Sequence, residues 1–119
     1  MSKIKKRQDS LIGTTREIKT GVGTAWITVN YSEDQPFEVF VNISKAGSDI
    51  QADAEAIGRL LSLILRMPDG LTGIERLSEA AAQMRHIGGA RPLGDVRSLP
   101  DGIAKELERH VEVDNGSLA

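Results

Sequence analysis

After Ile43 the hydrophobic pattern of the chain changes period, and that change limits the folds open to it. Between Thr15 and Ile43 the pattern has period two. Thr15 to Lys19 is a short candidate strand of mixed character. Thr24 to Tyr31 sets Ala25, Ile27, Val29 and Tyr31 on one face, against Trp26, Thr28 and Asn30 on the other. Phe37 to Ile43 repeats the pattern, with Phe37, Val39, Val41 and Ile43 opposed to Glu38, Phe40 and Asn42. Such alternation of β-branched and aromatic residues marks half-buried strands. Gly21 and Gly23 separate the first two strands, and Ser32 to Pro36 separates the second from the third. Breaks this short join antiparallel neighbours, because a parallel crossover needs about a dozen residues or more.

Beyond Ile43 the spacing is helical. Lys45-Ala46-Gly47 reads as a turn, and Ser48 followed by Gln51 as a capping box. A first helix is expected from near Asp49 to about Met67, stopped by Pro68. It carries one stripe of Ala56, Leu60, Leu63 and Met67 and another of Ile57, Leu61, Ile64 and Leu65. A helix apolar nearly all round is expected to be buried on more than one side. In so short a chain, a second subunit is the expected cover for one of them. Thr72 and Glu75 form a second capping box, opening a helix to about Arg85 with Ile74, Leu77, Ala81 and Met84 inward. Gly88-Gly89 ends it. Ser98 and Asp101 cap a third helix, with Pro100 in the first turn where its missing N–H is harmless. It runs to about Val111, with Ile103, Leu107 and Val111 inward. The expected fold class is α+β, a small antiparallel β-sheet of about three strands followed by three helices packed on one face. The expected organisation is a basic arm over 1–14, one domain over 15–113 and a tail over 114–119.

Composition narrows function. The 119 residues suffice for one domain, and the balance of 39% apolar to 27% charged is that of a soluble globular chain. Fifteen Lys and Arg face seventeen Asp and Glu, a formal net charge of -2. Duplex nucleic acid is therefore not an expected partner, since counterion release needs surplus cations. No apolar run reaches the ~18 residues of a membrane span, and no apolar stretch follows the basic start as in an export signal. A cytoplasmic location is the expectation. The chain has no cysteine, which removes disulfides, thiolate metal sites and thiol redox chemistry. Two histidines, His86 and His110, are too few for a His-only zinc site. No metal, no cofactor and no catalytic residue is expected.

The blocks Glu17-Ile18-Lys19-Thr20-Gly21-Val22-Gly23, Ile27-Thr28-Val29-Asn30, Pro36-Phe37-Glu38-Val39-Phe40-Val41, Lys45-Ala46-Gly47, Glu55-Ala56-Ile57-Gly58-Arg59-Leu60 and Ser98-Leu99-Pro100-Asp101-Gly102-Ile103-Ala104 follow one another in an order that resembles the TSCPD domain. That domain is best known as the C-terminal appendage of adenosylcobalamin-dependent (class II) ribonucleotide reductases. The resemblance runs from about Glu17 to about Leu107. It implies cysteines in the Thr-Gly-x-Gly turn, after the second helix and in the naming motif. Val22, the Gly88-Gly89 region and Leu99 stand there instead, so the metal or thiol chemistry that those cysteines suit is absent. The chain also lacks the reductase barrel and its radical cysteine, so it is no reductase by itself. In size and layout it is similar to small phage proteins that sequester the cyclic ADP-ribose signal of Thoeris defence, some of which take up cyclic oligonucleotides. No residue correspondence supports this second likeness.

After Gly47 the basic residues are Arg59, Arg66, Arg76, Arg85, Arg91, Arg97, Arg109 and Lys105. Guanidinium forks bind phosphates bidentately and stack on bases. The alternative is ordinary helix-surface pairing, Arg59 with Glu55, Arg109 with Glu106 and Arg76 with Glu79. The Gly-rich connector Arg85 to Arg97 ends at a helix N-terminus, which favours anions. Lys45 to Ser48 is another potential anion cradle. Trp26 and Phe40 either stack on a base or pack in a core or interface. His110, late in the third helix, suits a favourable C-terminal cation position.

The expected ligand-binding set is thus Arg59, Arg85, His86, Arg91, Arg97, Ser98 and Arg109. The expected ligand is a small phosphorylated nucleotide, such as a cyclic ADP-ribose isomer or a cyclic oligonucleotide, held without chemistry by a homo-oligomer. The rival readings are an accessory module of a separately encoded class II reductase and a structural interaction domain without a small ligand.

Overall fold

A computed structural model describes residues 4–44 and 47–114. Three strands, β1 (Ile12–Thr20), β2 (Gly23–Ser32) and β3 (Gln35–Ser44), form one antiparallel sheet in the order β1-β2-β3. Three helices follow, α1 (Ser48–Leu65), α2 (Gly73–Met84) and α3 (Leu99–Asp114). The α+β layout therefore stands. β1 begins three residues earlier than its own pattern indicates. Its pairing with the strongly alternating β2, from Ile12 opposite Tyr31 to Thr20 opposite Gly23, carries it there. The β2–β3 turn places Glu33 and Asp34 at φ 53° and 64°, in the left-handed region. A register shift at Asn30 and Tyr31 marks a bulge just before this turn.

The core forms on the sheet face carrying Ala25, Ile27, Val29, Val39, Val41 and Ile43. Ala54, Leu61 and Leu65 of α1, Leu77 and Ala81 of α2, and Ile103, Ala104 and Leu107 of α3 close over it. The α2 stripe is as the periodicity predicts, and both arms of its Thr72–Glu75 capping box are made. Helix α1 departs from expectation in two ways. Gly47 is its N-cap, with no side-chain cap bond, so Ser48 is the first helical residue and not the cap. Only the narrow stripe Ala54, Gly58, Leu61 and Leu65 is buried, while Leu60, Leu63, Ile64 and Met67 are exposed.

The reason lies at the sheet edge. Among the described residues β3 has no partner strand on its outer side, so the outward N–H and C=O groups of Val39 need other partners. Ser62 supplies both, its Oγ accepting from Val39 N at 3.0 Å and donating to Val39 O at 3.1 Å. The helix comes this close because Gly58, one turn earlier, has no side chain. A Cβ there would lie 3.1 Å from Val39 O and 3.3 Å from Val41 N. Helix α1 thus lies along the β3 edge as well as on the core, and its far side faces solvent.

Ser62→Ala removes the only side chain satisfying both Val39 backbone groups and is expected to destabilise the fold by about 1–3 kcal/mol. Urea denaturation should show a lower midpoint with an unchanged slope.

Candidate functional site

The connector between α2 and α3 is organised around Asp101, whose side chain is completely buried. Its Oδ1 accepts from Arg85 Nη1 at 3.1 Å and from the His86 amide at 2.8 Å, and its Oδ2 accepts from the Arg97 amide at 2.9 Å. His86 turns the chain at φ 68°, which aims its N–H inward. Ser98 Oγ accepts from the Asp101 amide at 3.2 Å and donates to Ile87 O at 2.6 Å. Of the connector amides expected to cradle a phosphate, those of His86 and Arg97 thus serve the protein's own carboxylate, and that of Asp101 serves the Ser98 hydroxyl. Burial alone would raise the Asp101 carboxyl, but the Arg97 and His86 amides and the Arg85 guanidinium outweigh it and hold it down at about 2.

Two further buried carboxylates act alike. Glu106 receives Arg16 Nε at 3.0 Å and Arg109 Nε at 3.3 Å, while His110 Nε2 lies 3.2 Å from it. His110 Nδ1 shares a 2.7 Å hydrogen bond with the Tyr31 hydroxyl. His110 is thus an interior residue between a strand and its own helix, not an exposed helix-end cation. Glu38 receives Arg7 through two bonds of 2.9 and 3.1 Å, Arg66 at 3.0 Å and Asn30 at 2.7 Å. Burial opposes ionisation of both acids, yet these donors leave each carboxyl below its ordinary value.

The seven expected ligand residues therefore do not form one site. Arg85, His86, Arg97 and Ser98 meet at Asp101, with Arg85 also 2.6 Å from Glu108. Arg109 serves Glu106. Arg91 and Arg97 keep exposed guanidinium groups, with no side-chain ion pair or hydrogen bond among the described residues. Arg59 stands apart on α1, 80% exposed and paired with Glu55 at 2.6 Å. Arg76 binds Asp69 and the Leu65 carbonyl, not Glu79. The Lys45 to Ser48 cradle falls partly on residues outside those described.

Two concave surfaces flank α1. On one flank a pocket of about 220 Å³ is lined by Gly21, Val22, Gly89, Arg91, Ser98 and Leu99, among others. Positions from all three places where the resemblance implies cysteines converge here, and Ile50 and Ile57 of α1 complete an apolar lining. Gly21 meets the Arg91 carbonyl so closely that no Cβ fits between them. On the other flank a groove of about 800 Å³ follows the β3 edge. Phe40, Asn42, Gln51, Arg59 and Arg66 are among its lining residues, with the Arg66 guanidinium engaged by Glu38 and the Phe37 ring. The volume lies within the range of small-molecule sites. Of the expected set, only Arg59 is in it. The sequence signal for this groove is the pair Gly58 and Ser62, small residues one turn apart that admit a backbone edge.

Asp101→Ala leaves Arg85 Nη1 and two inward amides without their acceptor, Arg85 keeping only Glu108, and is expected to cost about 3 kcal/mol in thermal or urea unfolding. The depressed Asp101 carboxyl makes the unfolded chain the better proton binder. Its contribution is complete above about pH 4 and is lost as pH falls toward about 2. Glu38 and Glu106 act in the same direction. Unfolding curves between pH 5 and 2 should show this loss, and Asp101→Asn should flatten it.

No curated protein and no solved structure is detectably similar to the chain. The family model of the TSCPD domain matches residues 2–111 of the 119. That family is linked to ribonucleotide reductase-associated modules. The match spans the sheet, the β3-edge groove and the Asp101 connector, and the chain belongs to the TSCPD domain family.

Proposed function

We propose that this chain is a non-catalytic binding protein that captures a small phosphorylated nucleotide in the groove along β3. Sequestration of a cyclic ADP-ribose isomer or a cyclic oligonucleotide is the corresponding role. The observation that carries the reading is the set of groups lining one groove of nucleotide size. Phe40 offers a π-face for a base, Asn42 and Gln51 offer paired donors and acceptors for its edge, and Arg59 offers a fork for a phosphate. Alternation along β3 also turns the Val41 N–H and C=O to the same side as those of Val39, toward the groove. The formal net charge of -2 favours a compact anion over a long polyanion.

Arg59 is held by Glu55, so a phosphate must displace that carboxylate. Glu55 is exposed and the pair is an ordinary one-turn ion pair, worth a few tenths of a kcal/mol. The displacement is therefore cheap.

Self-association belongs to the same reading. Leu60, Leu63, Ile64 and Met67 leave an apolar stripe on the solvent side of α1, and two such stripes packed antiparallel would cover each other. Light scattering should give a mass above that of one chain, and Leu60→Glu, on the stripe but outside the groove, should return it to the monomer value.

Calorimetry with a panel of mononucleotides, cyclic dinucleotides and cyclic ADP-ribose isomers tests capture. Arg59→Ala should weaken binding about tenfold or more, the loss of one charge-assisted hydrogen bond, with the unliganded melting temperature unchanged. Glu55→Gln should tighten it. Binding lost in Arg91→Ala or Arg97→Ala but kept in Arg59→Ala would move the ligand to the α2–α3 connector. No heat with any nucleotide would end the reading.

A further inference from the structure

The groove does not end at the sheet edge. Phe40 lies on the sheet face opposite the core, and that face continues onto β2. In the pairing register, Thr15, Thr28 and Phe40 form one row across the sheet, and Glu17, Trp26 and Asn42 form the next. Trp26 is therefore the diagonal neighbour of Phe40, a separation of about 7–8 Å between backbones that aromatic side chains span. Both rings are open, Trp26 at 42% and Phe40 at 48% exposure. Their strand neighbours Ala25, Ile27, Val39 and Val41 are buried.

One end of this face is closed and the other is not. At the closed end Glu38 is covered by Arg7, Arg66 and Asn30. Arg66 reaches it from α1 while its guanidinium stacks 4.6 Å from the Phe37 ring centre. The open end holds Trp26, Phe40 and Asn42, beside Thr15 and Thr28, whose hydroxyls bond each other at 2.7 Å. Two adjacent open rings, one of them on the wall of a groove with a guanidinium, make two stacking positions continuous with one anion position.

We propose that the ligand carries two bases, one stacked on Phe40 in the groove and the second on Trp26 across the open sheet face. This rests on nucleotide capture in the β3-edge groove and specifies its ligand as a dinucleotide rather than a mononucleotide. A polynucleotide fits less well, because among the described residues this face carries Lys19 beside the carboxylate of Glu17 and no basic track.

Trp26 is the only tryptophan in the chain, so its emission reports the second position directly. The full chain is titrated with cyclic di-AMP, cyclic GMP-AMP, AMP and a ten-residue oligoadenylate, following both fluorescence and heat. The expected result is quenching of Trp26 by a cyclic dinucleotide that binds about tenfold or more tighter than AMP, the usual contribution of a stacked base. Trp26→Ala should bring the dinucleotide down to the affinity of AMP, and Trp26→Phe should restore it.

Dinucleotide heat without any change in Trp26 emission overturns the two-base proposal while nucleotide capture stands. Equal affinity for AMP and the dinucleotides does the same, as does preference for the oligoadenylate. Trp26 emission that shifts with protein concentration in the absence of nucleotide also overturns it, since a second copy then covers the face. Absence of heat with every nucleotide removes capture itself.

Discussion

A three-stranded sheet exposes two edges and two faces, and three short helices cannot cover them all. In this chain the hydrogen bonds of Ser62 with Val39 decide what is left open. They draw α1 sideways onto the β3 edge, so that its apolar far side is not buried in the core. They leave the backbone beyond Val39 facing a groove, and nothing else among the described elements covers the aromatic face of the sheet. The groove, the exposed α1 stripe and the open pair of rings all follow from that one placement.

The second organising feature is the use of carboxylates as internal anchors. Glu38, Asp101 and Glu106 are each at most 2% exposed, and each gathers donors distant in sequence. Glu38 joins the N-terminal segment, β2, β3 and the end of α1. Glu106 joins β1 to α3, and Asp101 folds the long connector onto the start of α3. A buried carboxylate is costly unless its oxygens are well supplied with donors, and these three are. Arg85 and Arg109, which look free for a ligand in the sequence, are committed to holding the fold. The Ser98-Leu99-Pro100-Asp101 block shows the same point. Ser98 caps, Leu99 packs in the core, Pro100 occupies a first-turn position that needs no N–H, and Asp101 clasps the loop, so all four residues have structural work.

The strands, their antiparallel order and the capped start of α2 were legible because each rests on a local signal. The alternation in β2 and β3 and the Thr72–Glu75 pair are examples. The start of α1 lies within a residue of its expected place, but its cap differs, because Ser48 and Gln51 match a capping pattern that Gly47 pre-empts. The partnership of Glu38 with Arg7 and Arg66 was invisible, since it depends on contacts 31 and 28 residues apart. The candidate site was hardest to read for the same reason. Arg59, Phe40 and Gln51 come together only through the approach of α1 to β3. Basic residues counted along the chain could not distinguish Arg59, paired at the surface, from Arg85, clasped inside.

The pocket formed by Val22, Leu99 and the Gly89 turn carries one more consequence. Hydrocarbon and close backbone contact join the β1–β2 turn to the start of α3 where a sulfur-based fastening would respond to oxidants, reductants and chelators. A junction of this kind is indifferent to the redox state of its surroundings. With no cysteine in the chain, no disulfide or thiolate–metal bond can form or break there.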